Sequence, residues 1–217
     1  MFDFDGLLVN TEDLHRRAYI ILCQRRGYNL QWSLDDFYSI AHSSSEGIKN
    51  EILRLFPSIC DQEDWASLYV QKLNIYLELL AQKELCLFEG VSSFIGILKD
   101  KGIKMCVVTN AKKEQVDLVK QVLPSLNDIP HWITRECYHK PKPDPECYQL
   151  ALSLKESHEK AVGFEDSIRG YRSMQMAGVD RCVLICPFSH PQMKLFSKED
   201  TVEHFSSFQN MLSHFLS

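Results

Sequence analysis

The sequence lacks several features that would each have placed it in a class. Its eight cysteines (Cys23, Cys60, Cys86, Cys106, Cys137, Cys147, Cys182, Cys186) include no C-x-x-C pair. A zinc or disulfide framework is therefore not expected, and free, mostly buried thiols in a reducing cytosol are. No apolar run approaches the length of a membrane span. No charged n-region with an apolar stretch behind it opens the chain, so the expectation is no secretory signal, no membrane partner and a cytoplasmic location. Basic charge is not in excess: 24 Lys and Arg stand against 29 Asp and Glu, for a net charge of −5. That balance argues against a nucleic-acid partner, and the pairs Arg16-Arg17 and Arg25-Arg26 read as solvated helix faces. Neither G-x-x-x-x-G-K-[ST] nor G-x-G-x-x-G occurs, which leaves nucleotide and dinucleotide loops without support. Internal repeats, low-complexity tracts and long linkers are also missing.

What remains is an ordinary globular composition, 45% hydrophobic and 24% charged over 217 residues, enough for one large domain or a core with a smaller insert. Residues 1–5 read as the end of a strand broken by Gly6. From Thr11 to Glu84 the patterning is helical throughout: 11–26 with Thr11 as cap and Gly27 as stop, then 33–40, 45–56 and 61–84. Trp65, Leu68, Tyr69, Leu73, Tyr76, Leu77 and Leu80 form one apolar side of the last of these. After Gly90 the pattern changes. Strands at 103–108, 131–137, 161–166 and 181–186 alternate with helices at 93–98, 112–123, 145–154, 167–177 and 206–216. Such alternation predicts an α/β fold with a parallel sheet covered on both faces. The domain reading is thus a core of residues 1–10 and 86–217, with a helical block of 11–85 inserted after the first strand.

In such sheets ligands bind at the C-terminal ends of the strands. Four predicted strand ends carry suggestive residues: Asp3 and Asp5; Thr109 and Asn110; Lys140; and Glu165 with Asp166. Each has an ordinary structural explanation alone, as a turn residue, a helix cap or a solvated lysine. Together and in order they suit phosphoryl transfer. A carboxylate attacks phosphorus and forms an aspartyl-phosphate. Because nucleophile and phosphate are both anionic, Mg²⁺ held by carboxylate and carbonyl oxygens is required, with a lysine for further neutralisation. A second acid, for which Asp5 is placed, protonates the leaving oxygen and then activates water. An EF-hand reading of "DFDG" fails because the other ligand positions of that loop are absent.

The ordered motifs "DFDGLLVNTE", "VVTNA", "HKPKPDP" and "GFEDSIRGYRSMQMAG" resemble those of the haloacid-dehalogenase superfamily, in its phosphatase and β-phosphoglucomutase-like branch with a helical cap. The resemblance spans essentially the whole chain. It implies a Rossmann-like parallel-sheet core with an inserted α-helical cap at 11–85 that closes over substrate. It implies Asp3 as nucleophile and metal ligand, and Asp5 as general acid/base binding Mg²⁺ through its carbonyl. Thr109 and Lys140 would hold the phosphoryl group, Asn110 would shape that loop, and Asp166 and Glu165 would complete the metal site. Lys112 falls where relatives hold an anionic group of the substrate, and His15 where the mutases carry a histidine near the hinge. Three departures stand out: Asn10 in place of Asp, Glu89 in place of Pro, and serines without arginine in "IAHSSSEG", where the mutases grip a second phosphate.

The expected function is a Mg²⁺-dependent phosphatase of a small phosphorylated metabolite, with monomeric protein expected. A phosphomutase of the β-phosphoglucomutase type is the alternative, and a non-catalytic binding protein of the same fold is a more distant one. Dehalogenation would leave Asp5 and the "GFEDS" acids without purpose. One further expectation concerns the N-terminus. A nucleophile at the end of a central strand ordinarily follows several strand residues, and only Met1 and Phe2 precede Asp3. Additional apolar residues upstream are therefore expected in the natural protein.

Overall fold

The structure is a computed structural model describing residues 1–41, 46–82, 85–195 and 202–216. It divides into two compact units, Met1–Asn10 with Leu85–Ser217, and Thr11–Glu84.

The second unit is helical: α1 (Glu12–Arg25), α2 (Leu34–Ala41), α3 (Gly47–Leu55) and α4 (Trp65–Leu80). Helices α1 and α4 pack along each other, burying Leu14, Ala18 and Leu22 of one and Leu68, Ile75 and Leu79 of the other. Thr11 occupies the N-cap position of α1 but makes no side-chain cap bond, because its backbone is already helical (φ −78°, ψ −19°). An N-cap hydroxyl reaches the following amides only from an extended backbone. Asp64 has that extended conformation and accepts from the Ser67 N–H at 2.9 Å, so α4 starts at Trp65 rather than at residue 61.

The first unit contains α5 (Val91–Asp100), β1 (Cys106–Val108), α6 (Lys113–Val122), β2 (His131–Ile133), α7 (Glu146–Leu152), β3 (Val162–Glu165), α8 (Ile168–Ala177), β4 (Arg181–Ile185), β5 (Glu203–Phe205) and α9 (Phe208–Leu216). β1 pairs with β2, and β3 with β4 and β4 with β5, all parallel. Phe2 joins the two groups through parallel bridges to Val107 and Phe164. The order across the sheet is therefore β2, β1, the N-terminal segment, β3, β4, β5. The ladder around that segment is continuous: Phe2 N–H donates to Cys106 O at 2.9 Å, Val108 N–H to Phe2 O at 2.8 Å, and Asp3 N–H to Phe164 O at 3.0 Å. Phe2 is 1% exposed, stacks on Phe164 at 5.3 Å and meets the edge of Phe94. Phe94 in turn stacks on Phe208 of α9.

Further elements differ from the sequence expectation, and β1 begins at Cys106 rather than at residue 103. The segment 131–137 is a strand only to Ile133. Arg135 N–H turns to Ala111 O at 2.9 Å, and Cys137 N–H returns to Thr134 O at 2.9 Å, closing a 3₁₀ turn instead of extending the ladder. The short edge strand β5 was not expected; its residues are half-buried and show no alternation. A cavity of about 660 Å³ opens beside Met1, Phe94, Met105 and Val162, and no candidate site residue lines it. Among the described residues no helix is long and apolar enough to cross a membrane.

Candidate active site

From the N-terminal segment the chain builds outward to β1 and β2 on one side, and later to β3, β4 and β5 on the other. Adjacent connections diverge at this switch point, opening a crevice outside the strand ends. Asp3 stands at its floor, 8% exposed. Phe4 returns to the core, Asp5 is half-buried, and Gly6 turns the chain at φ 82°. That left-handed conformation favours glycine. Gly6 N–H donates to Val9 O, and the chain comes back as a narrow loop paired to Leu87. Asn10 closes it: its N–H donates to Cys86 O at 3.2 Å, and its Oδ1 accepts from Cys86 N–H at 2.8 Å. An amide oxygen accepts this bond as a carboxylate would, so the departure from Asp costs nothing at this contact.

The lysine of the third motif needs correction. Lys140 is exposed, its ammonium 3.9 Å from Asp144. The lysine in the crevice is Lys142. Its Nζ donates to Asp3 Oδ1 at 2.5 Å, Glu165 Oε1 at 2.5 Å and Val108 O at 2.8 Å, with the Tyr148 hydroxyl at 3.2 Å. The cause is local. Glu146, in the first turn of α7, accepts the backbone N–H groups of His139 and Lys140. This folds the "HKPKPDP" loop so that its first lysine faces solvent and its second turns inward. Burial works against the Lys142 charge, but Asp3 and Glu165 outweigh it and hold the ammonium protonated. One ammonium between two carboxylates leaves a buried excess of negative charge. Burial and then Glu165 push the Asp3 carboxyl well above its usual range, against the pull of Lys142.

Glu165 is fully buried. Its Oε1 accepts from both Lys142 and the Tyr148 hydroxyl, each at 2.5 Å. Gly170, on the first turn of α8, makes room for it: a Cβ there would land on the Glu165 carboxyl. Ser167 caps α8 by accepting from Gly170 N–H at 3.1 Å, which sets that helix's entry. Asp166 is 6% exposed, and its carbonyl accepts from Gln192. Oxygens of Asp3, Glu165 and Asp166 lie within 4.8 Å of one another. This buried, all-oxygen, anionic donor set with uncompensated charge fits a hard divalent cation such as Mg²⁺.

Across the crevice, Thr109 is 1% exposed. Its Oγ1 accepts from Ala111 N–H at 2.9 Å, leaving the hydroxyl proton to donate elsewhere. Asn110 Oδ1 lies 2.7 Å from the Tyr138 hydroxyl, which also donates to Thr109 O at 2.8 Å. Lys112 is exposed at the start of α6, its N–H on Gln115 Oε1. Within the helical unit, His15 stacks on Tyr76 at 4.2 Å and its Nδ1 accepts from Lys72 Nζ at 2.5 Å. Lys72 is 2% exposed and also lies over the rings of Tyr19 and Tyr76. Burial and the Lys72 charge hold the imidazole pKa well below its usual value. Of the "IAHSSSEG" serines, Ser43, Ser44 and Ser45 lie outside the described residues.

Sequence reasoning missed Lys142, Tyr148, Tyr138 and Gly170. Tyr138 and Tyr148 carried no sequence signal of a polar role. Lys142 had one, since it shares the motif with Lys140, and only the fold separates the two.

Comparison with known proteins agrees with this fold. The family described as haloacid dehalogenase-like hydrolase matches residues 1–184. The protein CbbY of Cereibacter sphaeroides is 28% identical over 193 residues, covering 85% of this chain and 82% of that one. A phosphorylated carbohydrates phosphatase of Thermotoga maritima is 27% identical over 185 residues, covering 83% and 82%. The crystal structure of CbbY from Rhodobacter sphaeroides in complex with phosphate has a TM-score of 0.77 and 25% identity, covering 97% of this chain and 94% of that one. With parallel strands, ordered motifs and the match along most of its length all in accord, the chain belongs to the haloacid dehalogenase-like hydrolases, in their phosphatase branch.

Proposed function

We propose that this phosphatase hydrolyses the phosphomonoester of a small phosphorylated sugar, with Mg²⁺ as cofactor and an aspartyl-phosphate on Asp3 as intermediate. The observation that carries the reading is the cluster of Asp3, Glu165 and Asp166, at the ends of neighbouring parallel strands, with one buried ammonium bound to Asp3 and Glu165. The sugar is suggested by the Thermotoga maritima relative, a phosphatase of phosphorylated carbohydrates.

Lys142 binds Asp3 Oδ1, so Oδ2 is the oxygen presented to phosphorus. As the Asp3–phosphorus bond forms, the ester P–O bond breaks and the leaving oxygen takes a proton from the Asp5 carboxyl. The Asp5 carboxylate then takes a proton from water, whose oxygen attacks phosphorus and releases the Asp3 carboxylate and inorganic phosphate. Asp3, Glu165, Asp166 and the Asp5 carbonyl would hold the Mg²⁺, which supplies the positive charge two approaching anions require. Thr109 and Asn110 donate to the phosphoryl oxygens, and Lys142 neutralises charge beside the nucleophile. Lys112 is offered to an anionic group of the substrate; within the helical unit His15, its Nδ1 held by Lys72, carries its proton on Nε2.

The test is phosphate release from a panel of sugar phosphates and other small phosphomonoesters, with Mg²⁺ and after chelation. Turnover that requires Mg²⁺ and disappears in Asp3→Asn is expected. Turnover by Asp3→Asn at the wild-type rate would overturn the mechanism.

A further inference from the structure

We propose that Tyr138 is a positioning residue for phosphate recognition: its hydroxyl fixes the Asn110 amide with oxygen inward, so that Nδ2 is presented to the phosphoryl group. This rests on the functional reading above and deepens it. Tyr138 follows the 3₁₀ turn beyond β2 and is 4% exposed. Its single hydroxyl proton serves two acceptors, Asn110 Oδ1 at 2.7 Å and Thr109 O at 2.8 Å. Lys142 supplies the independent check on the amide's orientation. Its backbone N–H points at the same Asn110 atom at 3.4 Å. A backbone N–H only donates, so the atom it faces is the oxygen. With the oxygen so held, the amide's two N–H donors lie on the opposite side. The reversed amide would set a carbonyl oxygen against an anion and its NH₂ against the Lys142 N–H donor.

The phenol is itself held from behind. Arg135 donates to Tyr138 O at 2.7 Å and His139 O at 2.9 Å, and its guanidinium lies over the Tyr138 ring at 5.2 Å. Arg135 N–H bonds Ala111 O. The loop after β2 thus braces residues 109–111, the loop after β1, and the turn that cut the predicted strand short delivers the brace.

The experiment is calorimetric binding of inorganic phosphate to the Mg²⁺-loaded protein, for wild type, Y138F, N110A, N110D and the Y138F/N110A double variant. Tyr138→Phe keeps the ring and removes the hydroxyl. Weakening of about tenfold is expected, the value of one hydrogen bond. The double variant is expected to bind no more weakly than N110A, since Tyr138 acts through Asn110. Asn110→Asp is expected to bind phosphate more weakly than N110A, because fixing one carboxylate oxygen inward aims the other at the anion. Mg²⁺ affinity is expected to be unchanged in Y138F, which a general loosening of the crevice would not allow. Wild-type affinity in Y138F, losses that multiply in the double variant, or N110D binding as well as N110A would each overturn the proposal. An N110A variant with wild-type affinity would overturn it through Asn110 itself. Failure of the underlying functional reading shows differently, as wild-type protein that binds no phosphate.

Discussion

Lys142 carries one positive charge between two buried carboxylates, and its loss has two separable consequences. Replacing it with methionine leaves Asp3 and Glu165 facing each other without a counter-charge, a change that typically destabilises by about 3–5 kcal/mol. It also removes a charge beside the reacting phosphorus, so a fall in turnover of about a hundred- to a thousandfold is expected. Lys140→Ala, by contrast, removes an exposed side chain and is expected to turn over sugar phosphate within about twofold of wild type, as surface changes rarely propagate. Parallel initial-rate and melting measurements on the two variants compare these outcomes directly. Gly170 makes a second residue-level test. Gly170→Ala displaces the Glu165 carboxyl, and Mg²⁺ affinity is expected to fall about tenfold or more by titration calorimetry, as for other displaced supports of ligating groups. The acids Asp3, Glu165 and Asp166 were legible because acidic residues at strand ends stand out against apolar neighbours. The tyrosines were not: a buried hydroxyl and a buried ring edge look alike in one sequence.

At the scale of elements, aromatic packing holds the N-terminal segment in the sheet. The N-terminal segment is anchored by Phe2 among Phe94, Phe164 and Phe208. Phe2→Ala is expected to cost about 3–5 kcal/mol in denaturant unfolding, as for other buried aromatics cut to alanine. The helical unit carries its own pH signature. His15 is held neutral between Tyr76 and Lys72, its pKa depressed by burial and by the Lys72 charge. The unfolded chain therefore binds a proton that the folded chain refuses, and stability falls as pH drops below about 6.5. Melting temperatures of wild type and His15→Asn across pH 5 to 7.5 test this. The wild-type slope should flatten in the variant, and an unchanged slope would show that His15 does not cause it. Helices were legible from periodicity, since each buries one face. Their starts were less so: α4 begins after Asp64 because that residue's backbone is extended, and propensity does not register one dihedral angle. The shortened β2 escaped for a related reason, its end being set by the Arg135 N–H bond to Ala111 O rather than by its own side chains, and β5 escaped because its half-buried residues show no alternation.

For the whole molecule, the order of strands across the sheet decides where chemistry is done. Alternation of strands and helices predicted parallel pairing. That the N-terminal segment lies between β1 and β3 emerges only from the bridges of Phe2 to Val107 and Phe164. This central position brings residues more than a hundred positions apart in sequence, Asp3 with Lys142, Glu165 and Asp166, to one crevice. The account's central claim is that Asp3 itself receives the phosphoryl group. The direct measurement is acid-quenched protein, taken during turnover of a sugar phosphate with Mg²⁺ and digested for mass spectrometry. A phosphoryl group on Asp3 in the wild type, absent from Asp3→Asn, is the expected result. Steady release of phosphate with Asp3 unmodified at every quench time, or with the label on another residue, would contradict it.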